Sequence, residues 1–456
     1  MLDARIVAAR ISFPSVDFIV YLGIYMKEKY VYPAILAVLS FFTRFTFLSS
    51  PDQVVFDETH YGKFVSGYLT HTHFFDLHPP LSKLLAALAA YWGSFDPHFD
   101  FGRIGEAFTD PHFVYLRIVP AVCGFLLPLV VYSLAREIGI SKIAAFFAGI
   151  VVVFENSLLV QSKFLLIDGQ LIFFGFAGLL FYLRFRNRKS FRQLLASSLF
   201  LGAAISTKWT GASFLATALL IEACSLVHEK KIARLKNFAV LLLVPFLFYV
   251  GTFAVHFRLL SGPGTGDAFM SPGFLKKGFT EKFIELNEVM FTQNRNLAAT
   301  HPYESRWYTW PLMIRPIFYW QGGEQKIYSI GNPFVYWLAF AAILALLAQT
   351  IARTRLWKTR RHAALFILFG YCINFLPFML LSRITFLYYY LAALVFAILA
   401  MALLVDSIRH VKIKIGAIVI LLILCISGFL YFSPFTYGFP LSPASQQSHF
   451  WLATWQ

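Results

Sequence analysis

Charge is scarce in this chain. Asp, Glu, Lys and Arg make up 14% of its 456 residues, against about 25% in soluble globular domains, which excludes an ordinary water-soluble fold. Acidic residues are the scarcer sign, 23 against 39 Lys and Arg, and the formal net charge is +16. Cysteine is also scarce: Cys123, Cys224, Cys372 and Cys425 all fall inside apolar runs. They lack metal-ligand spacing and support no disulfide framework, so they read as small apolar packing residues. Strict apolar/polar alternation is missing, which argues against a β-barrel. A phosphate-cradling glycine loop is missing too, because Gly262-Pro263-Gly264-Thr265-Gly266 has no strand–helix context and serves as loop punctuation.

What the chain has instead is apolar length. Hydrophobic residues account for 58%, Phe alone for 52 positions, and the mean hydropathy is +0.66. Spanning backbone must satisfy its own hydrogen bonds, so long continuous apolar runs imply an all-α polytopic membrane protein. Runs at 31–48, 117–136, 143–161, 165–184, 193–207, 211–228, 238–257, 334–352, 363–381, 386–406 and 414–432 give eleven expected spans. Residues 1–30 carry Asp3, Arg5, Arg10 and Asp17 among apolar positions. That pattern predicts a cytoplasmic amphipathic segment at the interface, with no clear cleavable leader.

Basic residues give the orientation. With the N-terminus inside, the inner connections collect clusters such as Arg184, Arg186, Arg188, Lys189 and Arg192, or Arg353, Arg355, Lys358, Arg360 and Arg361. The three short outer connections hold only Lys163, Lys208 and Arg383. The positive-inside rule then predicts a cytoplasmic N-terminus and an external C-terminus. The basic excess is thus an orientation signal and a contact with anionic lipid, and nucleic acid is not implied. Within a transmembrane domain of 31–432, the two long loops 49–116 and 258–333 fall outside, as does the tail 433–456.

The first outer loop carries Phe56-Asp57-Glu58-Thr59-His60-Tyr61-Gly62 and Phe74-Phe75-Asp76-Leu77-His78-Pro79-Pro80-Leu81. On the same face lie three cations that gain nothing from the inside bias: Arg117, Lys208 and Arg383. Asp168 opens another span there, and a carboxylate at the membrane boundary is costly unless it faces protein or a cavity. Singly, each cation is more often a snorkelling anchor than a ligand. Together they suit a lipid phosphate-sugar whose tail lies in the bilayer, with cations stabilising charge that develops on the phosphate. A carboxylate would take the proton of the acceptor hydroxyl. Neighbours point about 100° apart on a helix, so one of Asp57 and Glu58 serves as base while the other orients a hydroxyl, a cation or backbone. The two prolines after His78 stiffen the segment and fix its imidazole near the carboxylates. Asp57, Glu58, His60 and His78 include ligand types for a divalent cation, but no spacing requires a metal or any other cofactor. The second outer loop holds Ser305-Arg306-Trp307-Tyr308-Thr309-Trp310-Pro311, which fits stacking on sugar or peptide as well as an interfacial belt.

These motifs resemble one family closely, the protein O-mannosyltransferases, membrane enzymes of the GT-C glycosyltransferase class. The resemblance rests on Phe56-Asp57-Glu58 with Phe74–Leu81, Tyr115-Leu116-Arg117, Leu165–Asp168 and Ser206-Thr207-Lys208-Trp209. It continues through Ser305–Pro311, Gly331-Asn332-Pro333 and Arg383-Ile384-Thr385-Phe386-Leu387-Tyr388-Tyr389-Tyr390. It implies inverting transfer of mannose from polyprenyl-phosphate mannose to Ser/Thr hydroxyls of a secretory or membrane polypeptide, outside the membrane. Asp57 and Glu58 match the family's catalytic acids; Arg117, Lys208 and Arg383 match cations near the donor phosphate. His78, Asp168, Arg306 and Trp307 are expected to support the site. Two departures stand out. Eukaryotic members carry a β-trefoil domain in the second outer loop, for which 258–333 has no room; this points to a prokaryotic member in the cell membrane. Also, the family's His-His-Tyr is Tyr388-Tyr389-Tyr390 here. Dimerisation and association with a translocon stay open.

A sister GT-C enzyme, such as the lipid A aminoarabinose transferase, would move another polyprenyl-phosphate sugar to a lipid or glycan. It would share the acid of the first loop but hardly the Arg306–Pro311 block. A transporter would place polar residues and helix breaks near mid-membrane in repeated halves, and no internal repeat is visible. A non-enzymatic membrane subunit would have no use for the acids and cations gathered on one face.

Overall fold

The computed structural model describes residues 16–229, 233–297 and 299–456. The chain is mostly helical, and each of the eleven apolar runs is helical, the run at 143–161 as two helices. Helix α1 (Val16–Phe45) continues unbroken through the first run, so 16–30 leads straight into it; residues 1–15 lie outside the described residues. The first outer loop folds as α2 (Glu58–Leu69) and α3 (Leu81–Trp92), the latter opening directly after Pro79-Pro80. The bundle follows as α4 (Val114–Glu137), α5 (Lys142–Val153), α6 (Asn156–Lys163), α7 (Asp168–Arg188), α8 (Phe191–Thr207), α9 (Ala212–Glu229) and α10 (Ala233–Leu259). The second outer loop contributes α11 (Phe279–Asn296) and an antiparallel hairpin, β1 (Ile317–Gly322) and β2 (Gln325–Ser329). The chain finishes with α12 (Pro333–Ile351), α13 (Arg355–Phe375), α14 (Leu391–Asp406), α15 (Val411–Tyr437) and the short α16 (Pro443–His449).

Among the described residues, seven helical stretches are long and apolar enough to cross a membrane, or eight with the bent α5–α6 pair. Three of the eleven runs fall short of that measure while remaining helical. They are α1, whose described apolar stretch is Tyr30–Phe45, α7, bounded by Asp168 and Arg188, and α8, which has 17 residues. Helix α14 is apolar all round and buried over nearly its whole length, as a core helix should be.

The run expected as one span at 143–161 is broken. Helices α5 and α6 meet at 57°, and a break in an apolar environment frees carbonyls that must find donors. Arg44 supplies them. Its buried guanidinium donates to the carbonyls of Val153 at 2.6 Å and Val152 at 2.9 Å. Glu155 caps α6 by accepting from Leu158 N at 2.6 Å, and it accepts from Asn332 N at 2.9 Å. Asn332 in turn caps α12. The Gly331-Asn332-Pro333 motif is therefore a structural junction that ties α12 to the break. By redirecting the chain, the break delivers residues 164–168 to the underside of the first outer loop.

Candidate active site

The segment before α2 is clamped from below. Phe56 holds a left-handed φ of 48°, a region that non-glycine residues seldom occupy without support. The support is Tyr319 of β1: the two rings stack at 4.0 Å and 7°, and Phe56 N donates to Tyr319 O at 3.2 Å. Tyr319 is itself held by Gln161, whose Nε2 donates to its hydroxyl at 2.6 Å. Asp57 and Glu58 thus begin α2 at a fixed angle, and their side chains diverge.

Glu58 turns inward and is 1% exposed. Its carboxylate accepts from Val55 N at 2.9 Å, Leu165 N at 3.0 Å, Arg117 Nε at 2.8 Å and an Arg117 terminal nitrogen at 2.8 Å. Arg117 is fully buried, and its remaining N–H groups go to the carbonyls of Leu48, Pro51 and Gln53 at 3.2, 2.8 and 2.9 Å. All five guanidinium donors are used, and Phe108, Phe113 and Phe164 wall the group in. Two expectations are corrected here. Arg117 has no donor left for a phosphate, and Glu58 has no free lone pair with which to take a proton. The pair ties loop 48–58, α4 and the Leu165 segment together.

Asp57 is left free. Half-buried at the N-terminus of α2, its carboxyl makes no capping hydrogen bond. Burial, with the negative charges of Asp168 and Asp76 nearby, pushes its pKa up to about 7 against the opposing pull of Lys208. A carboxylate that ionises near neutrality and lacks a partner is suited to general-base work.

A cavity of about 730 Å³ opens nearby; Asp57 is not in its wall, but Asp168 and Lys208, whose charges act on Asp57, are. His78, Asp168, Lys208, Arg383, Tyr388 and Tyr389 are among its polar walls, and residues such as Leu171, Ile172, Phe214, Pro377 and Phe378 form an extensive apolar lining. Lys208 sits where α8 ends. Its ammonium donates to both Asp168 oxygens at 2.9 and 3.2 Å and lies 4.3 Å from the Tyr389 ring centroid and 5.0 Å from that of Tyr388. The tyrosines that depart from the family pattern are thus the surface on which this cation rests. Arg383 is less committed: among the described residues it donates only to the Tyr389 hydroxyl, at 3.3 Å. Lys208, Arg383 and Asp168 line the same cavity. His78 also lines the cavity; burial and the charges of Lys208, Lys83 and Arg383 hold its pKa well below the usual range, so it is neutral.

Two contributors went unnoticed in the sequence. Lys83, buried on α3, donates to Asp76 and to the carbonyls of His78 and Pro79 at 2.8 and 3.0 Å. It braces the turn that presents His78. A lysine on the outer side of an apolar helix, against the inside bias, was the signal for it. Arg295 of α11 lines the large cavity as a further cation.

Arg306 and Trp307 do not reach that cavity. Trp307 packs edge-on against Phe375 at 5.2 Å, and Trp310, fully buried, stacks on Tyr389 at 6.0 Å with its Nε1 donating to Ser305 Oγ. The aromatic block is scaffold for the tyrosines. Arg306 lines a second, smaller cavity. Among the described residues, no three His, Cys, Asp or Glu side chains converge to hold a metal ion.

The architecture is that of the GT-C membrane class. The structure is similar to the Saccharomyces cerevisiae protein O-mannosyltransferase Pmt1-Pmt2 complex bound to the sugar donor, with a TM-score of 0.90 at 22% identity over 94% of this chain and 93% of that one. A looser likeness, TM-score 0.54 at 18% identity, covers 87% of this chain and 62% of ArnT from Cupriavidus metallidurans. Residues 34–261 match the family model for dolichyl-phosphate-mannose-protein mannosyltransferase, and residues 279–455 match the C-terminal four TMM region of protein-O-mannosyltransferase. The chain belongs to the protein O-mannosyltransferase family. Dolichyl-phosphate-mannose--protein mannosyltransferase 1 of Candida albicans is 33% identical over 55% of this chain and 30% of its own length. The chain therefore spans about a third of the length of the curated relatives it matches.

Proposed function

We propose that this protein transfers mannose from polyprenyl-phosphate mannose to Ser or Thr hydroxyls of a polypeptide, with inversion at the anomeric carbon. The observation that carries this reading is the free Asp57 carboxyl, poised near neutrality within the field of Asp168 and Lys208, two groups in the wall of a cavity that combines Lys208 and Arg383 with an extensive apolar lining. An isoprenoid tail suits the apolar walls, and a phosphate suits Lys208 and Arg383. The acceptor oxygen attacks the anomeric carbon as Asp57 takes its proton. The bond from that carbon to the phosphate oxygen breaks, and the electron pair leaves on the phosphate. Lys208 and Arg383 stabilise this growing charge, and such preorganised electrostatics are a large part of transfer catalysis. Neutral His78 supplies a hydrogen bond without adding charge. Family membership and the donor named for relatives support the choice of sugar.

The same reading places the site on the outer face of a prokaryotic cell membrane, with the N-terminus inside. The distribution of basic residues supports that orientation. The test is to incubate the purified protein with labelled polyprenyl-phosphate mannose and either a Ser/Thr peptide or a lipid acceptor. Label in the peptide supports the proposal. Label in the lipid alone selects the sister reading, and label in neither rejects both.

A further inference from the structure

We infer that the second cavity, which holds about 430 Å³, is an acceptor subsite that selects polypeptides with acidic side chains flanking the reacting hydroxyl. This rests on the transfer reading above. The cavity shares Ser382 and Arg383 with the wall of the large cavity, so its occupant lies next to Arg383 of the larger site. Its floor is rigid: Ser305 N donates to Thr385 O at 2.9 Å, and Thr385 Oγ1 donates back to Ser305 O at 2.7 Å.

The charge of the cavity is unbalanced. Arg306, Arg315 and Arg383 line it against the single carboxylate of Glu304. Arg306 is exposed, and among the described residues its guanidinium has no ion-pair partner. The Arg315 fork is spread over neutral carbonyls, those of Pro302 at 2.8 and 3.2 Å and Thr454 at 2.9 Å, which fix its direction without cancelling its charge. Among the described residues, Arg383 meets only a phenol. Three like charges around one ligand-sized hollow repel one another until an anion joins them. The remaining lining is largely hydroxyl-bearing, and the exposed hydroxyls of Thr300 and Ser382 are able to bond an extended backbone.

The experiment uses the full-length protein in nanodiscs and three peptides of one length, with the acceptor Ser flanked by Glu, Gln or Lys. Binding of each labelled peptide and kcat/KM for transfer are both measured. The Glu peptide is expected to exceed the Lys peptide by about tenfold, with Gln between, from exposed charge pairs acting together. That ratio shrinks as ionic strength rises from about 50 to about 500 mM. Arg306→Glu reduces or reverses it, whereas Arg306→Lys preserves it. Equal binding and turnover of the three peptides, or a ratio unmoved by Arg306→Glu, overturns the inference while leaving transfer intact. Preferential binding of the Glu peptide with no transfer to any peptide refutes the transfer reading alone.

Discussion

Arg117→Met is the substitution that separates the structure from the simpler picture of three phosphate-binding cations. Removing the guanidinium leaves Glu58, 1% exposed, with only the N–H groups of Val55 and Leu165. It also strips a donor from each of the carbonyls of Leu48, Pro51 and Gln53. Breaking a buried pair by deleting one partner costs about 3–5 kcal/mol, a large part of the ~5–15 kcal/mol that holds a typical domain. Arg117→Lys recovers little, because an ammonium cannot reproduce the bidentate fork. The second half of the prediction is non-additivity. Once Arg117 is gone, neutralising Glu58 removes the stranded charge, so Glu58→Gln/Arg117→Met is no less stable than Arg117→Met alone, within about 0.5 kcal/mol. Thermal unfolding of the purified protein in detergent, followed by intrinsic fluorescence, measures both. An Arg117→Met protein of undiminished stability whose donor KM alone has risen would refute the reasoning and return Arg117 to the phosphate.

Two other outcomes follow from the same geometry. Lys208→Met and Arg383→Met should both raise the donor KM more than the peptide KM. Only Lys208→Met should also cost stability, up to about 3 kcal/mol, because it strands the nearly buried Asp168, whereas half-exposed Arg383 costs under about 1 kcal/mol; equal stability losses would contradict the assignment. For pH, a base must be ionised to act, and Asp57 is protonated below about 7. The kcat/KM for peptide should therefore climb as pH rises through about 7 and level off above it; a flat profile from about pH 5.5 upward excludes Asp57 as the base.

The helices were legible because apolar runs near 20 residues have few other fates, and the outer-face grouping was legible because cations there gain nothing from the orientation rule. The bend at Phe154 was less legible: Glu155-Asn156-Ser157 interrupt the apolar run there, but its support comes from Arg44 and Asn332, each more than 100 residues away along the chain. Divergence of Asp57 and Glu58 followed from helix geometry. Which of them stays unpaired depended on Tyr319 and Arg117, partners that no spacing announces. Arg117 was read as a ligand because a buried pair and a phosphate contact both call for an outer arginine. Arg306 and Trp307 were grouped with the site by chemistry alone, whereas the turn at Trp307–Leu312 sends Trp310 beneath Tyr389 and leaves Arg306 in the neighbouring cavity.

The central claim is that Asp57, and not Glu58, takes the acceptor proton. Its most direct test is transfer of labelled mannose to a Ser/Thr peptide by Asp57→Asn protein, with folding checked by its melting temperature. The account predicts an unchanged melt, because the carboxyl makes no capping bond, and a fall in rate of about 10²–10⁴ with donor binding retained. A folded Asp57→Asn protein that transfers mannose at the wild-type rate would contradict it.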